Sequence, residues 1–156
     1  SKNETFLSDC TIETDQLALI PDTYIDMTAE KIRIYKELDS LSSDKEMENM
    51  KVKLSDRFGP LPDEVLRLFD IVKIRQLGQK IGFEKIIIKN GVMIAFFISN
   101  PLSQYYKSDR FSKILENITM NPKLFELKQN DSKLRIFARN IDSISKAYET
   151  LSKLLN

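Results

Sequence analysis

The chain has 156 residues, 42% of them hydrophobic, enough apolar side chains for one substantial core without help from disulfides or metals. Lysine and arginine number 24 against 23 aspartates and glutamates, so the formal net charge of +1 draws the molecule as a whole toward neither nucleic acid nor membrane. There is no histidine, which removes the commonest general base and the commonest metal ligand together, and the lone cysteine, Cys10, excludes an internal disulfide framework and points to a reducing, cytoplasmic setting.

In chain order, residues 1–9 lack the apolar stretch of a signal peptide and Ser1 is not an initiator methionine, which reads as a piece of a longer protein. Residues 10–20 place Ile12, Leu17, Leu19 and Ile20 among polar neighbours, as in a short edge strand stopped by Pro21. From 28 to 41, Ala29, Ile32, Tyr35, Leu38 and Leu41 recur at every third residue and predict an amphipathic helix. Ser43 followed by Glu46 is a capping box, and Met47, Met50, Leu54 and Phe58 stripe the helix it opens, which Gly59 closes. Pro60 to Pro62 form a stiff connector. Asp63 and Glu64 then start a third helix, whose apolar residues over 65–81 cover more than one face, marking it as the most buried element.

Past Gly82 the texture changes. Strand-like runs flank Asn90-Gly91, a strong hairpin signal, and none of them approaches the ~20 apolar residues that span a bilayer. Phe111, Ile114, Leu115 and Ile118 predict a helix ending near Asn121-Pro122, residues 123–129 and 133–139 a second hairpin around Asn130-Asp131, and Ile144, Ala147, Tyr148, Leu151 and Leu155 a C-terminal helix. The expected class is therefore α+β: an antiparallel, hairpin-built sheet packed with helices, preceded by an edge strand and a three-helix segment. The segments are a leading strand and turn over 10–27, three helices over 28–82, and hairpin, helix, hairpin, helix over 83–156.

Little of this sequence suits catalysis. Four glycines at 59, 78, 82 and 91 cannot assemble a phosphate-cradling loop, and Cys10 has no histidine to activate it, so no catalytic residue, cofactor or metal is expected. Glu46 with Glu48 and Asp63 with Glu64 point in different directions on their helices and read as solvated faces. Lys73, Arg75, Lys80, Lys85 and Lys89 are spread over helix and strand and read as a solubilising surface. Tyr105, Tyr106, Lys107, Arg110 and Lys113 interleave aromatics with bases, a pattern that stacks single-stranded nucleic acid. A loop packed by its own tyrosines is the simpler reading of that segment, and a nucleic-acid-binding accessory domain the alternative one.

The stretch LSDRFGPLP at 54–62, preceded by IPDTYI at 20–25, resembles the C-terminal domain of the bacterial transcription-repair coupling factors, the Mfd family. Ile20, Pro21, Tyr24, Ile25, Tyr35, Lys36 and Leu38 stand where the family pattern has them, as do residues 56–62. The likeness covers residues 10–90; beyond Gly91 only the order of elements agrees. It implies that residues 1–156 form a single, non-catalytic C-terminal regulatory domain of a large DNA-translocating ATPase. In that family the domain is autoinhibitory: it docks on the N-terminal module that resembles UvrB and masks the surface that recruits UvrA until the motor engages a stalled RNA polymerase on DNA. The resemblance places the contact on the helix before FGPLP, with Asp56 as the matching acid, Arg57 beside it, and Lys53 reversing the charge of a position that is often acidic. The DRFGPLP segment itself reads first as a helix stop with a rigid turn.

Overall fold

The computed structural model describes residues 6–131 and 133–156, which divide into two compact units. One is Leu17–Val72; the other is built from the chain on either side of it.

The first unit is helical. It holds α1 (Thr28–Ser40), α2 (Asp44–Phe58) and the first half of α3 (Asp63–Ile81). The Ser43 hydroxyl caps α2 by accepting the Glu46 N–H at 3.1 Å. The returning half of the predicted capping box lands one residue early, because the Glu46 carboxylate takes the N–H and hydroxyl of Ser42. Met47, Met50 and Leu54 of α2 are buried as expected, against Val65, Phe69 and Val72 of α3. On α1 the stripe differs from the expected one: Ile32 is 49% exposed, whereas Ile34 is 3% exposed and packs with Leu38 and Leu41. A spacing of three drifts around a 3.6-residue turn, and the 34, 38, 41 set stays on one face.

The second unit is a five-stranded sheet with β1 (Thr11–Thr14), β2 (Phe83–Lys89), β3 (Val92–Phe97), β4 (Glu126–Asn130) and β5 (Lys133–Arg139) in the order β1-β2-β3-β5-β4. Both hairpins pair antiparallel, as do β3 and β5. The leading strand lies at the edge, as expected, yet pairs parallel with β2, so the sheet is mixed rather than wholly antiparallel. No hairpin dictates its direction, since the whole of the first unit separates the two strands in sequence. It also ends at Thr14, well short of Ile20.

Asn90 and Gly91 have φ of 55° and 74°, the two positive values that a tight primed turn requires. The second hairpin is shorter than expected, β4 beginning at Glu126 rather than 123. Between the hairpins come a 3-10 turn over Gln104–Lys107, which no periodicity announced, and α4 (Asp109–Met120). The last helix, α5 (Ile144–Ser152), buries Ile144, Ala147 and Leu151, and Leu154 rather than Leu155 closes the core because the helix ends before it.

Strand alternation splits the sheet into two unlike faces. Ile86, Ile88, Met93, Ala95, Ile136 and Ala138 are buried on one, where α3 comes so close that a Cβ on Gly78 would sit 3.1 Å from Ile86 Cδ1 and 2.7 Å from Cys10 Sγ. The side chains of the other face stay solvent-accessible across all five strands. Cys10 itself is buried, and burial with the nearby Asp9 pushes its thiol up to about 12. No described helix is long and apolar enough to cross a membrane.

Candidate interaction surface

The helix stop at 54–62 is a braced turn. Gly59, at φ 94°, turns the chain in a conformation that residues with a Cβ rarely adopt, and its N–H closes α2 on the Ser55 carbonyl at 2.9 Å. Pro60 and Pro62 stiffen the connector into α3. The brace is Tyr24, whose hydroxyl donates toward the carbonyls of Gly59 at 2.8 Å and Leu54 at 3.2 Å, with its ring 5.9 Å from that of Phe58. Partial burial raises its pKa above the usual tyrosine value. The IPDTYI signature is thereby explained as the support of the FGPLP turn, a link between two motifs that spacing alone did not reveal.

The three residues expected at the contact do not act together. Lys53 and Arg57, four apart on α2, turn toward α1: Lys53 pairs with Glu37 at 2.5 Å and Arg57 with Glu30 at 2.6 Å, its guanidinium lying 4.8 Å from the Phe58 ring centroid. The Lys53 pair is exposed and of small worth, whereas Glu30 in the Arg57 pair is largely covered. Asp56 points elsewhere, and no described residue pairs with its carboxylate. It stands on the rim of a groove of about 520 Å³ lined also by Lys51, Val52, Ser55, Pro60, Leu61 and Leu66. Val52 is 58% exposed and Leu66 also lies open, which gives the groove an apolar lining beside its polar rim. Lys51, which also lines the groove, is held by Glu48 at 3.2 Å and stands 5.4 Å from the Phe69 ring centroid. An open apolar trough with one unpaired acid suits a protruding apolar side chain accompanied by a base.

The aromatic and basic segment is dispersed by the fold. Tyr105 is wholly buried: its hydroxyl donates to the Ile81 carbonyl at 2.6 Å, its ring packs against Phe97 and Phe111, and its pKa is driven up, chiefly by burial. That corrects the expectation of a stacking surface at this position, because Tyr105 has no face to offer a base. Tyr106 is pinned through its hydroxyl to the Ile98 carbonyl, and Arg110 donates to the Lys80 carbonyl. Lys113 pairs with Glu116 at 3.8 Å, and Lys107 is exposed alone. Among the described residues, no group of three or more histidine, cysteine or acidic side chains is placed to hold a metal ion.

The braced turn and the open groove lie on an α+β scaffold with five α-helices and a five-stranded mixed sheet among the described residues. The same fold occurs in a crystal structure of the C-terminal domain of a transcription-repair coupling factor, with a TM-score of 0.74, 20% identity, and coverage of 97% of this chain and 96% of that one. Residues 14–108 match the TRCF domain family model. The transcription-repair-coupling factor of Rickettsia typhi is 34% identical over 139 residues, 87% of this chain and 12% of that protein. The one from Escherichia coli K12 is 39% identical over 75 residues, 48% of this chain and 6% of that protein. This chain belongs to the transcription-repair-coupling factor family. It spans about a tenth of the length of the curated relatives it matches.

Proposed function

We propose that this chain is a non-catalytic, autoinhibitory docking domain. Within the longer coupling factor it holds the UvrB-like N-terminal module and covers the surface that recruits UvrA, and engagement of the parent ATPase with DNA at a stalled RNA polymerase releases it. The observation that carries this reading is Asp56, an exposed acid without a partner at the rim of an apolar groove, at the position where the family resemblance expects the contact. Lys53 and Arg57, both engaged with acids of α1, are supports of α2 in this reading rather than contact residues. Docking that must be reversible needs a modest free-energy gap, which a small apolar trough with a polar rim provides better than a broad apolar seam.

The test is a titration of this chain with the separately produced N-terminal module. Where docking desolvates Asp56 against a base of the module, Asp56→Ala weakens binding by about 2 kcal/mol or more, part of it from stranding the partner's charge, whereas a pair left in water at the rim gives less than about 1 kcal/mol. In the full-length protein the same change raises UvrA affinity as the closed population falls. Unchanged module binding together with unchanged UvrA affinity would overturn the assignment.

A further inference from the structure

The accessible face of the sheet carries a charge and ring pattern unlike the rest of the molecule. Along one row across it stand Lys85 of β2, Phe96 of β3, Arg135 of β5 and Lys128 of β4; along the next stand Ile87, Ile94, Phe137 and Glu126. Phe96 and Phe137 thus sit diagonally on adjacent central strands, at a separation of roughly 7–8 Å, with half-buried aliphatic neighbours. Within the strands the face bears six bases, Lys85, Lys89, Lys128, Lys133, Arg135 and Arg139, and two acids, Glu13 and Glu126, while Asp15, just past β1, accepts the Asn90 N–H. Glu13 is shared between Lys85 at 3.2 Å and Lys89 at 3.9 Å, and Glu126 between Lys128 at 3.5 Å and Arg139 at 2.8 Å. Six bases against these three acids leave a charge of +3 here on a chain whose total is +1.

Arg135 is the sharpest sign that something is missing. Its Nε is buried and has no hydrogen-bond partner among the described residues, and no acid is paired with its guanidinium. A buried unsatisfied donor on a charged group is costly, and with no carboxylate against it among the described residues the guanidinium keeps its charge for an anion on this face. The bases are also poised over the rings: Lys128 and Arg135 lie 4.6 Å and 5.1 Å from the Phe137 centroid, and Lys85 lies 6.0 Å from that of Phe96. Such exposed cation–π contacts are weak, so a planar base can take a ring face while the displaced cation moves to a phosphate.

We propose that this sheet face, centred on Phe96, Phe137 and Arg135, binds single-stranded nucleic acid, stacking unpaired bases on the two rings and neutralising phosphates with the surrounding lysines and arginines. Duplexes hide the base faces the rings require. The assignment is independent of the docking reading, whose residues all lie in Leu17–Val72.

The test is fluorescence anisotropy of labelled oligothymidylate and oligouridylate of about 20 bases, titrated with this chain between about 50 and 200 mM salt. Binding is expected with a log–log salt slope near −2 to −3, the signature of about three or four neutralised phosphates, and Arg135→Gln should reduce that slope by about 0.7. Phe96→Leu and Phe137→Leu, which keep the apolar bulk, should each weaken binding about fivefold or more at an unchanged melting temperature. Either strand supports the proposal, and oligodeoxyuridylate, which differs from oligouridylate in the sugar alone, reads the contribution of the 2′-hydroxyl. No binding at the lowest salt, equal affinity for a duplex of the same length, or affinity untouched by both leucine variants would overturn it.

Discussion

At the scale of single residues, Tyr105 shows how composition misleads when burial decides. Two adjacent tyrosines beside lysine and arginine look like a ligand platform, yet a Cβ placed on Gly82 would lie 2.3 Å from the Tyr105 ring, so the tyrosine fills a socket that only glycine leaves open. Tyr105→Phe removes the donor to the Ile81 carbonyl without emptying the socket, and should cost about 1–3 kcal/mol in denaturant unfolding. Cys10 and Tyr105 also set an alkaline limit. Both keep their protons in the fold at pH values where the unfolded chain loses them, so the folded state binds more protons and stability falls as pH rises. For Cys10 this contribution is intact below its ordinary value of 9.0 and is lost progressively on the way to about 12; Tyr105 adds to the loss from its ordinary value of 10.0 upward. Unfolding measured across that range should show the decline, and Cys10→Ala should flatten its first part. At Asp56, by contrast, the open carboxylate bears on no folded-state partner, and its replacement by alanine should leave stability within about 0.5 kcal/mol.

At the scale of elements, what was legible is what short stretches determine by themselves. The Ser43 cap, the Asn90-Gly91 turn and the helix stop at Gly59 each arise from a few neighbouring residues and appear where expected. Ser43→Ala should cost about 1 kcal/mol, read from the denaturant midpoint, because α2 then begins with an unanswered N–H. The elements that sequence did not reveal depend on distant partners. The direction of β1 is fixed by β2, some seventy residues away by the register Thr11 with Lys85, and the 3-10 turn at Gln104–Lys107 is too short to carry a period. The candidate surface was legible in the same measure. Asp56 is proposed through its motif, whereas the role of Tyr24 and the turning of Lys53 and Arg57 toward α1 need the three-dimensional arrangement of α1 and α2.

At the scale of the whole molecule, α3 contributes to both compact units, with Phe69 buried in the first and Ile74 and Ile81 buried in the second. Its amide hydrogens should accordingly exchange among the slowest in the chain, in both halves of the helix, because each half lies within a core. Phe69→Ala should cost about 3–5 kcal/mol and quicken exchange of the first half above all, which mass spectrometry of proteolytic fragments resolves. Fast exchange along the whole helix would place the core elsewhere.

The close approach of Gly78 to Cys10 turns the lone thiol into a clock. With the sulfur sealed between strand and helix, a thiol-reactive dye finds it only in the brief intervals when those two elements part. Because no second cysteine competes for the dye, the labelling rate divided by that of a free thiol reads the opening equilibrium of the sheet-bearing unit directly. A partner that clamps the sheet lengthens the time between ticks, so occupancy can be timed on this chain without a probe being engineered into it.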